Sequence, residues 1–134
     1  MIPLRKFPQF TALLVLATLA AACADNPLRV AETLEQKAYA IERSYNVILE
    51  DALVVAKDPA TNTTVRRAIQ SASERATPVV DSLADAAADA AIERAKLNVG
   101  QSTLEKVNVV ASNLRDWIDR AQAAMLTLRT AFRP

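Results

Sequence analysis

The stretch "LEKVNVVASNLRDWIDRAQAAMLTLRTAF", residues 104–132, decides the fold. In it Leu104, Val107, Ala111, Leu114, Ile118, Ala121, Met125, Leu128 and Phe132 recur at steps of three and four. At 3.6 residues per turn that spacing lays all of them along one stripe of one helix, and such a stripe must be buried against neighbours. Ser102 and Glu105 before it have the spacing of a capping box. Gly100 is the only glycine in the chain, and it falls where the preceding helix needs a left-handed residue to stop.

Working back toward the N-terminus, the same period returns twice. Leu34, Ala38, Ile41, Tyr45, Ile48, Ala52 and Val55 form a heptad stripe, which Leu49 and Leu53 widen. Asn26-Pro27 offers a cap and a first-turn proline, and Thr33 with Gln36 offers a second start. Lys57 and Asp58-Pro59 close this helix, because the residue before a proline is pushed out of the helical region. The middle segment starts near Asn62 to Thr64 and runs to about Asn98. Val65, Ile69, Ala72, Ala76, Val79 and Leu83 carry its stripe, which then dissolves into the alanines of "ADAAADAAIERA". Pro78 lies inside that segment, where it removes a backbone hydrogen bond and crowds the preceding turn. The expected fold is therefore all-α: an up-down-up three-helix bundle with coiled-coil-like heptads, its second helix kinked or split at Pro78. Small alanine side chains predict a weaker or closer-approaching end in the second half of the middle helix.

Composition removes many functions. Among 134 residues there is no histidine, so the commonest general base and metal ligand are absent. One glycine leaves no Gly-rich phosphate loop, and one cysteine permits no internal disulfide. Charges nearly cancel, at a net +1, so no basic face for nucleic acid is expected. No cofactor and no small-molecule substrate are expected either. The polar residues line outer helix faces and no loop is long enough to wall a pocket, which argues against an enzyme.

The first 22 residues read as a signal peptide. Arg5 and Lys6 precede Phe10–Ala22, a continuous apolar run of 13 residues, and no acid occurs before Asp25. A membrane-spanning helix needs roughly 20 such residues, so the run is short for an anchor and suited to export. Its removal takes away two cations and changes the net charge from +1 to −1. Leu19-Ala20-Ala21-Ala22-Cys23 resembles the end of a bacterial lipoprotein signal, with the leucine one place further upstream than is usual. That resemblance implies an acylated Cys23 as the first mature residue. Ala24 after it implies an outer-membrane address, facing the periplasm. Simple cleavage after Ala20-Ala21-Ala22 or after Ala22-Cys23-Ala24 remains the alternative and would give a soluble periplasmic protein. The expected organisation is a signal peptide at 1–22, a lipid-attachment site and lead-in at 23–33, and the bundle at 34–134.

Residues 36–83 also resemble small helical proteins of bacteria and their phages. The matching features are Gln36-Lys37-Ala38-Tyr39, Tyr45, Asp58-Pro59, Val65-Arg66-Arg67 and Pro78 through Leu83. This resemblance implies no activity.

Candidate interaction residues are Trp117, Tyr39 and an acidic ridge of Asp81, Asp85, Asp89 and Glu93, spaced by four. The ridge offers a surface for a cation or a basic partner, or simply a solvated face, since hard cations want six or more oxygens from a curling loop. Trp117 is an interface anchor or the closing edge of the core. Tyr45 sits in the seam, so its hydroxyl needs a partner. The expected role is that of a non-enzymatic envelope protein tethered through Cys23, binding an envelope protein or serving a structural purpose. A phage- or prophage-derived exclusion, immunity or lysis-related factor is the alternative. A wall-linked lipoprotein of the Braun type would end in lysine, whereas this chain ends Phe132-Arg133-Pro134.

Overall fold

A computed structural model describes residues 27–133. The expected signal peptide, Cys23 and the expected Asn26 cap lie outside the described residues. Three helices follow in order: α1 (Pro27–Lys57), α2 (Thr63–Asn98) and α3 (Leu104–Phe132). Each packs against both others, with the largest interface between α2 and α3. Glu35 near the start of α1 meets Arg94 near the end of α2, and Tyr45 meets Thr77, so these two helices are antiparallel. Leu34 packs with Val107 and Ala111, while Asp51 pairs with Arg133, so α1 and α3 run the same way. The result is an all-α, up-down-up three-helix bundle.

The ends are set by local chemistry. After Lys57, Asp58 Oδ1 accepts the amide of Ala60 at 2.8 Å, and the Thr61 hydroxyl donates to the Val55 carbonyl at 2.7 Å. Arg66 donates to the Asp58 carbonyl at 2.8 Å. Orphan carbonyls at the end of α1 thus find donors beyond it. Asn62 caps α2, accepting the Val65 amide at 2.9 Å. At the other end, Gly100 takes φ +73°. The Gln101 amide donates to Lys96 O at 2.8 Å and the Gly100 amide to Leu97 O at 3.1 Å, which is a Schellman turn. Thr103, not Ser102, caps α3, accepting the Lys106 amide at 3.3 Å. Ser102 instead donates to Glu93 at 2.7 Å. Thr33 lies within α1 and starts nothing, since the helix already runs from Pro27.

The core follows the expected stripes with four corrections. Leu83, Leu114, Ile118, Leu128 and Val107 are the largest side chains wholly removed from water. Burial of each contributes ~1.5–3 kcal/mol. Leu104, expected in the stripe, is 51% exposed as the first residue of α3. Leu53 is also exposed. Around Pro78 the buried set steps from Ala76 to Val80, so Val80 replaces Val79, which is only partly covered. Two steps of four in succession (72 to 76 to 80) widen the local repeat and shift the stripe by one position. Finally, α2 is not split. It continues through Pro78, and the hydroxyls of Thr77 and Ser82 donate to the carbonyls of Ser73 and Pro78 at 2.9 Å each. Such back-bonding is local to the proline, while the carbonyl that Pro78 leaves without its helical donor is that of Glu74.

The alanine stretch is core. Ala86, Ala87 and Ala90 are buried to 4%, 1% and 0% exposure. With only a methyl group at each position, neighbouring backbones can approach closely and gain dispersion contacts in place of side-chain volume.

Candidate functional site

Two seam positions carry charge. Ala38 and Ala90 are buried, and Glu35 and Arg94 sit one turn from them on α1 and α2. Glu35 is the one buried charged residue among those described, at 5% exposure. Arg94 holds its carboxylate in a bidentate fork, Nε to Oε1 at 3.0 Å and Nη2 to Oε2 at 2.7 Å. Hydrogen bonding to Glu35 holds the guanidinium in its charged form above its ordinary range. The arginine side chain remains 28% exposed against 7% for the glutamate, so one partner keeps contact with water. Sequence reading missed the pair. The signal was present in spacing: Glu35 precedes Ala38 by three, and Arg94 lies between Ala90 and Leu97 at steps of four and three.

Beside this pair, the end of α2 and the start of α3 enclose an open groove of about 870 Å³. Ile92, Val109 and Val110 form its apolar part, with Asp89, Glu93 and Lys106 among its charged walls. The acidic ridge is thereby divided. Asp81 and Asp85 are exposed on α2 outside the groove, while Asp89 and Glu93 belong to it. Glu93 is engaged within the fold, accepting Lys96 Nζ at 2.6 Å and the Ser102 hydroxyl at 2.7 Å. Those two bonds hold its carboxyl below the ordinary carboxylate range. Among the described residues, no three Asp, Glu, His or Cys side chains gather where they could hold a metal ion. A straight helix face spreads its carboxylates along the axis, so spacing by four does not bring oxygens to one point.

The remaining candidates lie apart. Tyr39 is 57% exposed on α1. Trp117 is half-buried on α3, packed against the core, and the Arg120 guanidinium lies 4.8 Å above its ring. It closes the edge of the core while keeping one face under a cation. Tyr45 is buried, and its hydroxyl lies 2.8 Å from Thr77 Oγ1. The Thr77 hydrogen is already given to the Ser73 carbonyl, so Tyr45 donates. Tyr45 is therefore a packing residue with a satisfied hydroxyl. No described side chain with a buried polar atom lacks a partner.

No helix among the described residues is long and apolar enough to cross a membrane. No protein-family model matches this chain, and no curated protein or solved structure matches it.

Proposed function

We propose that this chain is an exported, non-enzymatic envelope protein, tethered to a membrane through an acylated Cys23, whose three-helix bundle binds an envelope protein or braces a structure there. The observation that carries the reading is positional. The sole cysteine follows a basic start and a short apolar run, and α1 begins only four residues later at Pro27. The order along the sequence is thus apolar segment, thiol, helix, with three residues between Cys23 and Pro27. Each buried CH₂ of an acyl chain is worth about 0.8 kcal/mol, so a multiply acylated cysteine holds such a domain firmly at a lipid surface.

The polar chemistry of the bundle agrees with a binding or structural role. Glu35 and Glu93 are both occupied by partners within the fold. Catalysis instead needs convergent groups left free to meet a substrate. What remains outward is the set of Tyr39, Asp81, Asp85 and the groove with Asp89 and Val109. Site-specific photo-crosslinking in intact cells tests the partner. A crosslinking side chain at Tyr39, Asp85 or Val109 is expected to give a discrete adduct that one at Ala60 does not. No adduct at any of the three positions would remove the binding role and leave only the structural one.

A further inference from the structure

We infer that the α2–α3 turn, with Val99 and Leu104 flanking it, is a second and non-covalent membrane contact that seats the bundle end-on against the lipid surface. This inference rests on the anchoring reading above.

The first observation is where α1 starts. Glu35 bonds Arg94, and Leu34 and Leu97 both pack against the Val107–Ala111 cluster, so the beginning of α1 lies at the same end as the α2–α3 turn. At 1.5 Å per residue, α1 extends about 12 Å beyond Glu35 to Pro27, and α2 about 6 Å beyond Arg94 to its end. The two therefore end within about one helical pitch of each other along the axis. Cys23 is four residues before Pro27. Even fully extended, four residues span no more than about 14 Å. A lipid on Cys23 leaves this end of the bundle beside the membrane, and no other.

The second observation is what that end displays. Val99 is 68% exposed and Leu104 is 51% exposed, on either side of the turn. The opposite turn, residues 58–62, is Asp-Pro-Ala-Thr-Asn and carries no large apolar side chain. Exposed leucine and valine on a tight connection are costly in water and favourable at an acyl boundary.

The third observation is that the first half of the turn already has its backbone donors paired. The amides of Val99, Gly100 and Gln101 all donate to carbonyls of α2, and the Ser102 hydroxyl donates to Glu93. Unpaired backbone groups are what normally keep a loop out of an apolar phase. Here three of the turn's backbone donors, those of Val99, Gly100 and Gln101, are already used. Lys106 stands just behind the turn, where its flexible stem can place an ammonium group at headgroup level, while the Lys96 ammonium is held by Glu93.

The test uses the mature acylated protein reconstituted in vesicles of phosphatidylethanolamine and phosphatidylglycerol. Acylation occupies Cys23, so Val99→Cys, Leu104→Cys or Ala60→Cys supplies the one free thiol for an environment-sensitive fluorophore. We expect blue-shifted emission at 99 and 104 that nitroxide-labelled lipid quenches, and water-like emission at 60. Adding Leu104→Asp to the probe at 99 is expected to remove the shift. Water-like emission at 99 and 104 on vesicle-bound protein would overturn the contact while leaving the anchor intact. A blue shift that lipid nitroxides do not quench would overturn it too, because protein would then cover the turn. Fluorophore on Cys23 itself, detected by mass, would instead overturn the anchoring reading and this contact with it.

Discussion

Replacing Arg94 by leucine leaves the Glu35 carboxylate at 7% side-chain exposure with nothing to bond. Breaking a buried ion pair from one side costs about 3–5 kcal/mol, because the remaining charge stays desolvated. The reverse change is expected to be milder. In Glu35→Leu the guanidinium, 28% exposed in the pair, can turn outward to water, so the loss is near that of charged hydrogen bonds, about 1.5–3 kcal/mol. The double variant Glu35→Leu/Arg94→Leu removes both charges from a seam flanked by Ala38 and Ala90, and such replacements are often neutral or stabilising by 1–4 kcal/mol, taken as a rough range. Equilibrium urea unfolding followed by far-UV circular dichroism reads all three, and the double-mutant cycle gives the coupling. The reasoning is refuted if Glu35→Leu costs as much as Arg94→Leu. It is refuted equally if the double variant loses the sum of the two.

Three further outcomes follow from the packing. Tyr45→Phe removes one donor to Thr77, and a loss of about 0.5–1.5 kcal/mol is expected in urea unfolding. Ala90→Leu forces a large side chain where exposure is 0%, and overpacking should cost about 1–3 kcal/mol or more, read as a lowered Tm. Glu93 supports the α2–α3 turn through Lys96 and Ser102, and its folded carboxyl lies below its unfolded value. Its contribution is therefore present above the ordinary carboxylate range and lost as pH falls through the lower folded value. Protection of the Gly100 and Gln101 amides, read as exchange relative to the intrinsic rate at each pH, should fall in that acid window, and Glu93→Gln should abolish the pH dependence.

The large features were legible because each had one physical cause. Leu114, Ile118, Ala121 and Leu128 are buried at the three-and-four spacing that the helix period requires. Asp58-Pro59 stops α1, and Gly100 adopts the positive φ that a Schellman turn needs. Where two causes competed, the sequence was ambiguous. Ser102 and Thr103 are both good caps, and the choice went to Thr103 because Glu93, nine residues back, engages Ser102. Val79 and Val80 are equally apolar, and the shift of the stripe beside Pro78 selected Val80. Glu35 and Arg94 were missed because a search for apolar periodicity passes over charge at seam positions, although two opposite charges in register on facing helices can be buried together. The acidic ridge was visible as a spacing. That Asp89 and Glu93 share a groove with Lys106 and Val109 depends on how α3 docks, which lies beyond any local pattern.

The central claim is that export ends in acylation at Cys23, and intact-mass analysis of the protein extracted from membranes tests it most directly. The account predicts loss of residues 1–22 and a mature N-terminal Cys23 carrying thioether-linked and amide-linked acyl chains. It also predicts that Cys23→Ser leaves the membrane fraction. An unmodified N-terminus at Cys23, or one beginning at Asp25 with the cysteine discarded, would contradict it.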